Sequence, residues 1–244
     1  MPHFFIKSKD VDNNTVLITD KENYNHIVKS LRAKEGESLL LIDENEIEYN
    51  TNIKEISKNF ISADITESHK SQRDLSYNLY LAQSPLRSDS QNTIIEKATE
   101  LGIRGIYPIY TDNCAVKKSV IEQKISKWQK TMYEASKQCE RANIPTCFNL
   151  TTINNICEDR KFDRIITLCE KYATRTMKDY FKEKPIKPNE NILLIIGPEG
   201  GFSEKEFLYF KESKFPMLTL GDLILKAETA VIVTLGNIVY DACK

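Results

Sequence analysis

Residues 192–203 read ILLIIGPEGGFS, a run of aliphatic residues that passes directly into a glycine-rich turn. Three of the eight glycines of the chain lie within five residues here. Glycine accepts positive φ angles and lets a ligand approach the backbone closely, and nucleotide-like cofactors bind where parallel strands end. The segment therefore predicts a buried parallel strand that leads into a cofactor-binding loop. A tight turn without a ligand is the alternative that this motif alone leaves open.

The residues after the turn predict how the chain continues. Ser203 and Glu206 have the spacing of a capping box, so a helix is expected to begin directly after the glycines. The spacings of a phosphate-binding loop and of the dinucleotide fingerprint are both absent from the sequence. Their absence argues against a nicotinamide-dependent dehydrogenase, which an α/β pattern would otherwise fit.

A second strand, loop and helix start follow at residues 218–230, which read LTLGDLILKAETA. Two such loops in succession would form two walls of one cleft. From Leu75 onward, short aliphatic runs alternate with longer helical patterns, which is typical of a parallel sheet covered by helices. The strands predicted from these runs are Tyr77–Gln83, Gly105–Tyr110, Arg164–Cys169, Ile192–Ile196 and Met217–Leu220.

Residues 1–70 have a different pattern and predict a small β-rich module. Thr19 and Glu22 have capping-box spacing, and the apolar residues that follow predict one short helix near 21–33. Strands are predicted at Ser38–Asp43, Ile47–Ile53 and Phe60–Ile65, and several short strands without a long helix favour a small barrel. The polar stretch Glu67–Asp74 is the expected linker.

The composition limits the class of protein. With 244 residues, 41% of them hydrophobic, and a formal net charge of −1, the chain can fill ordinary globular cores and is not basic overall. No apolar run of about 18 residues is present, and the N-terminus lacks the pattern of a signal peptide, so a cytoplasmic location without a membrane partner is expected. The cysteines lack metal-ligand spacing, so no metal is expected and the thiols are expected to be reduced and mostly buried. They are Cys114, Cys139, Cys147, Cys157, Cys169 and Cys243.

The two loop segments together resemble the SPOUT class of methyltransferases, and specifically the family that methylates N3 of a uridine in 16S ribosomal RNA. The family pattern reads roughly I-G-P-E-G-G-[FL]-[ST] and then L-G-x-x-I-L-R-x-E-T-A. Three further segments agree with it, namely KATELG at 97–102, ASKQCER at 135–141 followed by Ile144-Pro145, and HIVKSLR at 26–32. Lys226 stands where the family usually has arginine. The resemblance spans nearly the whole chain.

This resemblance implies an α/β fold in which residues 75–244 form a SPOUT domain with a trefoil-knotted parallel sheet. It also implies a PUA-like β-barrel that binds RNA, over residues 1–70, and S-adenosylmethionine as the cofactor. The residues implied to bind the cofactor lie in the two loops, at a neighbouring strand end and at the start of the last helix. They are Leu168, Ile196, Gly197, Pro198, Gly200, Gly201, Leu220, Gly221, Ile224, Leu225, Ala227, Thr229 and Ala230.

The implied reaction transfers a methyl group to uracil N3, which must lose its proton near the transition state. Because N3 lies in the Watson–Crick edge, the base must be unpaired or flipped out. Arg141 and Lys226 are the candidates for stabilising the developing uracil anion, and Glu199 is the candidate for orienting the base or accepting its proton. Glu228 is more simply explained as an acid that interacts with the helix dipole.

The expected partners are 16S ribosomal RNA in the small ribosomal subunit and a second copy of the chain, since SPOUT enzymes usually work as homodimers. His26, Arg32, Arg87 and Lys137 are the candidate RNA contacts, with ordinary solvated surface charges as the alternative. Two other functions stay open. One is a SPOUT methyltransferase with a different RNA target, and the other is a non-catalytic RNA-binding assembly factor that kept the fold.

Overall fold

The structure is a computed structural model that describes residues 3–159 and 161–242. These residues form two compact units. The first contains the chain up to Asp74 together with Lys137–Asn143, and the second contains Leu75–Ser136 together with the chain from Ile144 onward. The sequence predicted a division between residues 70 and 75, but it did not predict that Lys137–Asn143 would group with the first unit.

The first unit is built on one six-stranded sheet, in the order β1-β4-β5-β6-β3-β2. The β1 and β4 strands pair in parallel, and the other neighbours are antiparallel. Its core contains Phe4, Val16, Ile27, Leu41 and Ile61, which are almost completely buried. The strands are β1 His3–Phe5, β2 Val11–Asp12, β3 Thr15–Ile18, β4 Ser38–Ile42, β5 Ile47–Ile56 and β6 Ile61–Lys70.

The predicted helix of this unit is present, but its start differs from the prediction. Helix α1 spans Lys21–Asn25 and continues as one π-type turn over His26–Ser30. The capping box predicted for Thr19 and Glu22 is wrong, because the Asp20 carboxylate accepts the Asn23 backbone N–H at 2.8 Å instead. Thr19 and Asp20 are adjacent short polar residues, and either type can cap a helix. The capping-box spacing alone favoured Thr19, which is not the cap.

The linker predicted from polarity also needs a correction. Residues 67–70 are not linker, because they continue β6, where Glu67 pairs with Asn50 and Lys70 pairs with Ile47. The side chains of 66–70 are exposed, so polar residues can occupy a paired strand here. Composition therefore indicated solvent exposure correctly and chain conformation incorrectly.

The second unit contains a seven-stranded sheet in the order β11-β13-β10-β12-β7-β8-β9, and all its pairings are parallel. Its strands are β7 Asn78–Gln83, β8 Gly105–Pro108, β9 Thr146–Cys147, β10 Arg164–Leu168, β11 Arg175–Thr176, β12 Asn191–Ile196 and β13 Met217–Thr219. Its helices are α2 Ser88–Glu100, α3 Lys118–Gln138 (whose last two residues group with the first unit), α4 Ile153–Glu158, α5 Met177–Glu183, α6 Glu204–Glu212 and α7 Ala227–Ala242.

The buried residues of the helices in this unit follow helical periodicity. Ile121, Trp128 and Met132 lie at intervals of seven and four residues on α3, which places them on one face of the helix, and all three are buried. Gly102 follows α2 with φ of +89°, the conformation expected of a glycine that ends a helix. The five strands predicted for the second unit are all present, with ends that differ by one or two residues from the prediction.

Strand β10 pairs with β12 on one side and with β13 on the other. The connection from β12 to β13 therefore crosses over β10. The register aligns Leu168 with Ile196 on one side and with Leu218 on the other. The carboxyl ends of three strands thus meet at one edge of the sheet. The trefoil knot implied by the resemblance stays a prediction.

Within residues 3–159 and 161–242, no helix is long and apolar enough to cross a membrane. The same residues contain no group of three or more His, Cys, Asp or Glu that could hold a metal ion. The described cysteines form no disulfide with one another, and Cys147 and Cys169 are buried. Cys243 lies outside the described residues.

Substitution of Asp20 by alanine tests the corrected helix start. The change removes the acceptor of the Asn23 backbone N–H, and we expect it to lower the free energy of unfolding by about 1 kcal/mol. The measurement is urea unfolding followed by circular dichroism, with Thr19→Ala as the matched control. A larger loss from Thr19→Ala than from Asp20→Ala would contradict the assignment.

Candidate functional site

A cleft of about 770 Å³ lies in the second unit, at the edge of the sheet where β10, β12 and β13 end. Its floor consists of the last residues of these strands, including Leu168, Ile196 and Leu218. Its walls are the three loops that follow the strands, at 169–174, 197–203 and 220–226. Because parallel strands present their carboxyl ends at the same edge, the topology alone brings these loops together.

The floor of the cleft is apolar. Leu168, Ile196 and Leu218 are 9%, 3% and 0% exposed, so their side chains also belong to the core. The loop after β13 adds Leu223 and Ile224, which are 78% and 85% exposed and line the same cleft. Two large aliphatic side chains with this much exposure leave an apolar surface that a flat ring could cover.

The glycine-rich loop packs closely against Phe202 and Asn113. A Cβ atom on Gly197 would lie 3.2 Å from the Phe202 ring, and one on Gly200 would lie 3.2 Å from Cβ of Asn113. Gly201 has φ of +68°, which side chains rarely adopt. The Asn113 side-chain amide donates to the carbonyl oxygens of Gly200 at 3.3 Å and Gly201 at 3.2 Å. The loop therefore has a fixed backbone path.

A second set of hydrogen bonds fixes the end of this loop. Ser203 caps α6, and its backbone N–H donates to the Glu206 carboxylate at 2.8 Å, which confirms the predicted capping box. The other oxygen of Glu206 accepts the Asp112 backbone N–H at 3.0 Å. The Ser203 hydroxyl also donates to the Asp112 carboxylate at 2.6 Å. Burial raises the pKa of Glu206 above its ordinary value.

The charged residues that line the cleft are mainly acidic. Four carboxylates and two lysines give it a formal charge of 2 − 4 = −2. They are Glu170, Glu199, Glu204 and Glu228 with Lys171 and Lys226. A cleft with an excess of carboxylates attracts cations and repels polyphosphates. This charge agrees with the absence of dinucleotide motifs from the sequence.

The two lysines of the cleft have different surroundings. Lys171 Nζ lies 3.0 Å from a Glu204 carboxylate oxygen. The Tyr172 hydroxyl donates to the same carboxylate, 2.8 and 2.7 Å from its two oxygens. These hydrogen bonds, Tyr172 first and Lys171 second, hold the pKa of Glu204 below its ordinary value. Lys226 is exposed and has no ion-pair partner among the described residues.

The cleft contains most of the residues that the sequence predicted for it. Of the predicted cofactor contacts, Gly221 and Thr229 are outside the lining, and the others line the cleft. Those that line it are Leu168, Ile196, Gly197, Pro198, Gly200, Gly201, Leu220, Ile224, Leu225, Ala227 and Ala230. Two of the predicted catalytic residues, Lys226 and Glu199, line it as well.

Arg141, the other predicted catalytic residue, belongs to the first unit and does not line the cleft. Its guanidinium contacts one carboxylate oxygen of Asp74, with Nε at 3.1 Å and Nη2 at 3.0 Å. Both side chains are mostly buried, with 5% of Arg141 and 12% of Asp74 exposed. This pair joins the segment after α3 to the last residue before the second unit, which is a structural role. A catalytic role for Arg141 stays a prediction.

The candidate RNA contacts have diverse surroundings. Arg87 is exposed at the start of α2, and Arg32 is exposed with φ of +55°. His26 is half-buried, with its ring centroid 5.3 Å from that of Phe4. The Lys137 side chain is only 11% exposed and lies 3.9 Å from Glu22. All four stay predictions.

The sequence interpretation missed several residues of the site. Glu170 and Lys171 lie two and three residues after Leu168, the last residue of β10, and this position after a parallel strand is a signal that could have identified them. Glu204, one residue after the capping serine, could have been found in the same way. Asp112 and Asn113 brace the glycine loop from about 90 positions away, and no local pattern indicates such a contact.

Sequence models of two families match this chain. The model of the RNA methyltransferase domain matches residues 73–239, and the model of the RNA methyltransferase PUA domain matches residues 18–66. The first match contains all the residues that line the cleft. The second lies within the first unit and contains its strands β4 and β5.

The chain is also similar to individual proteins over nearly its whole length. Ribosomal RNA small subunit methyltransferase E of Bacillus subtilis is 26% identical, over 90% of this chain and 88% of that protein. The protein of the same name from Mesomycoplasma hyopneumoniae is 28% identical, over 99% of this chain and 100% of that protein. A Legionella pneumophila structure, described as a methyltransferase in complex with the bound cofactor SAM, is 26% identical with a TM-score of 0.82. That similarity covers 97% of this chain and 96% of the other.

The Arg141–Asp74 pair generates a test of stability. Substitution of Arg141 by methionine would leave the Asp74 carboxylate buried without its ion-pair partner, and we expect a loss of about 3–5 kcal/mol in the free energy of unfolding. The double variant Arg141→Met, Asp74→Leu should recover part of that loss, because neither charge is then buried. Urea unfolding of the three proteins measures both effects. A single variant as stable as the parent would contradict a structural role for the pair.

The backbone of the glycine loop generates a second test. Substitution of Gly201 by alanine forces a side chain into positive φ, and we expect it to lower the free energy of unfolding by about 1 kcal/mol. Gly236→Ala is the matched control, since both glycines have free space at the Cβ position but Gly236 lies within helix α7. The control should stabilise the protein by roughly 0.5–1 kcal/mol. Thermal unfolding measures the two shifts, and equal signs would contradict the interpretation.

Proposed function

The chain belongs to the RNA methyltransferase family, and on that premise we propose that it methylates N3 of a uridine in 16S ribosomal RNA with S-adenosylmethionine as the cofactor. The observation that carries the proposal is the acid-rich cleft at the glycine loop, inside the matched methyltransferase domain. Relatives over nearly the whole chain are named as ribosomal RNA small subunit methyltransferases, which supports the choice of RNA.

The charge of the cleft fits this cofactor. S-adenosylmethionine carries a sulfonium, an ammonium and a carboxylate, so its net charge of about +1 complements the formal −2 of the lining. A pyrophosphate-containing cofactor would meet four carboxylates in the same space. The electrostatics therefore favour a cationic, phosphate-free ligand.

The shape of the cleft also fits. Leu168, Ile196 and Leu218 form an apolar floor for a flat adenine ring, and the exposed Ile224 can cover its other face. The glycines at 200 and 201 let a ligand reach the backbone directly. Because Asn113 already holds this loop in place, little backbone entropy remains to be lost on binding.

When bound, S-adenosylmethionine supplies an electrophilic methyl group. The residues of this chain would then prepare the uracil. Lys226, an exposed cation on the cleft wall, would donate to a carbonyl oxygen of the uracil and stabilise the negative charge that develops as N3 loses its proton. Glu199, exposed on the opposite loop, would accept that proton or orient the base.

The RNA must present an unpaired or flipped uridine, since N3 is otherwise engaged in base pairing. The domain that matches the RNA methyltransferase PUA model would bind the surrounding RNA, with His26, Arg32 and Lys137 as its candidate contacts and Arg87 as a candidate contact of the other unit. Contacts with phosphates would make binding salt-dependent. The proposal also includes a homodimer of this chain, the small ribosomal subunit as the partner and a cytoplasmic location.

The test is methyl transfer from labelled S-adenosylmethionine to small ribosomal subunits isolated from a host that lacks this protein, followed by nucleoside mass analysis. We expect N3-methyluridine. Lys226→Met should lower the rate of transfer by about a hundredfold, because it removes a donor to the developing anion. Lys211→Met, a lysine in the last turn of α6 and outside the cleft lining, is the matched control and should keep the parental rate.

Other outcomes would assign a different function. A methylated nucleoside other than N3-methyluridine would identify another RNA target for the same enzyme. Cofactor binding without transfer to any ribosomal RNA would also overturn the proposed target. If neither cofactor binding nor transfer is detected, the protein is a non-catalytic RNA-binding factor.

A further inference from the structure

The cleft contains a charged cluster that the proposed reaction does not use. We call it the Lys171 cluster and define it as Lys171, Tyr172, Glu204 and Phe207. Lys171 and Tyr172 come from the loop after β10, and Glu204 and Phe207 come from the first turn of α6. Except for Tyr172, all of its members line the cleft.

The cluster is ordered by several contacts at once. Lys171 Nζ lies 3.0 Å from Glu204 and 5.0 Å from the centre of the Tyr172 ring. The Tyr172 ring packs against that of Phe207, with centroids 4.4 Å apart, and its hydroxyl is hydrogen-bonded to Glu204. One cation and one carboxylate are thus presented side by side at the wall of the cleft, with a fixed separation.

This arrangement complements a zwitterion. An α-amino acid group also carries one cation and one anion side by side, so it can align with a fixed lysine–glutamate pair with both charges matched. The other charged residues of the cleft show why the carboxylate of such a ligand would need Lys171. Among the described residues, the rest of the charged lining consists of Glu170, Glu199, Glu228 and Lys226, so Lys171 and Lys226 are the cationic side chains available to a ligand carboxylate.

We propose that the Lys171 cluster binds the amino-acid end of the cofactor, with Lys171 contacting the carboxylate and Glu204 contacting the ammonium group. This inference rests on the proposed function, since it assumes S-adenosylmethionine in the cleft. The assignment of the cofactor carboxylate to Lys171 leaves Lys226 available to donate to the uracil. Tyr172 is a positioning residue, because it acts through Glu204.

The experiment measures dissociation constants by calorimetry for three ligands: S-adenosylmethionine, its decarboxylated form and 5′-methylthioadenosine. The second ligand lacks the carboxylate, and the third lacks the whole amino-acid end. The variants are Lys171→Met and Glu204→Gln. Lys205→Met is the matched control, because Lys205 is an exposed neighbour of Glu204 that does not line the cleft.

We expect Lys171→Met to weaken binding of S-adenosylmethionine by about twofold to fivefold, the range for an exposed ion pair, and to leave the other two ligands unchanged within about 1.5-fold. Glu204→Gln should weaken both ligands that carry the ammonium group and leave 5′-methylthioadenosine unchanged. Lys205→Met should change none of the three.

Equal weakening of all three ligands by Lys171→Met would mean that Lys171 only supports the loop, and it would overturn the inference. Unchanged binding in Lys171→Met, with weakened S-adenosylmethionine binding in Lys226→Met, would assign the carboxylate to Lys226 and also overturn it. A parental protein that binds none of the three ligands would refute the proposed cofactor itself. Failure of the inference and failure of the proposed function are therefore distinguishable.

Discussion

The position of β10 between β12 and β13 is the constraint on which the rest of the second unit depends. Both neighbours pair with β10 in parallel, and the backbone hydrogen bonds fix the ends of all three strands to one level. The strands can occupy the middle of the sheet because their buried residues are aliphatic, with the exception of Thr167. Thr167 is fully buried and donates its hydroxyl to the Pro216 carbonyl at 3.1 Å. The loops that form the cleft have their positions as a consequence.

A rigid strand edge does not by itself produce a rigid site, because each loop must also be fixed. The glycine loop is fixed by groups from the loop after β8, through the Asn113 amide and the Asp112 backbone and carboxylate. Partial burial of the Glu206 carboxylate is tolerated because the backbone N–H groups of Ser203 and Asp112 each donate to one of its oxygens. The wall opposite is fixed differently, by an exposed ion pair with an aromatic neighbour. The two walls therefore differ in how strongly solvent screens the contacts that hold them.

The sequence predicted the features of this fold that arise from local patterns. The aliphatic run before Gly197 and the Ser203 cap are each encoded within a few residues, and the structure contains both of them. Local patterns do not determine which of two adjacent polar residues caps a helix. Asp20 rather than Thr19 caps α1.

Features that depend on distant contacts could not be predicted in this way. The strand conformation of residues 67–70 depends on pairing with β5, and the grouping of Lys137–Asn143 with the first unit depends on partners such as Asp74. Within the cleft, the charged residues after β10 were missed because they form no motif. Their place in the site follows from the parallel register, which puts the residues after β10 beside the glycine loop.

The charge of the cleft has a consequence for the order of binding under the proposed function. RNA is a polyanion, so a cleft with a formal charge of −2 disfavours its approach. A cofactor of net charge about +1 lowers that repulsion, and two unit charges about 4 Å apart in water interact by about 1 kcal/mol, so the effect is modest but favourable. Methyl transfer removes the sulfonium charge and restores the repulsion. The positive charge of the bound cofactor would therefore favour RNA binding after it, and the carboxylates of the cleft would favour release of the RNA after the reaction.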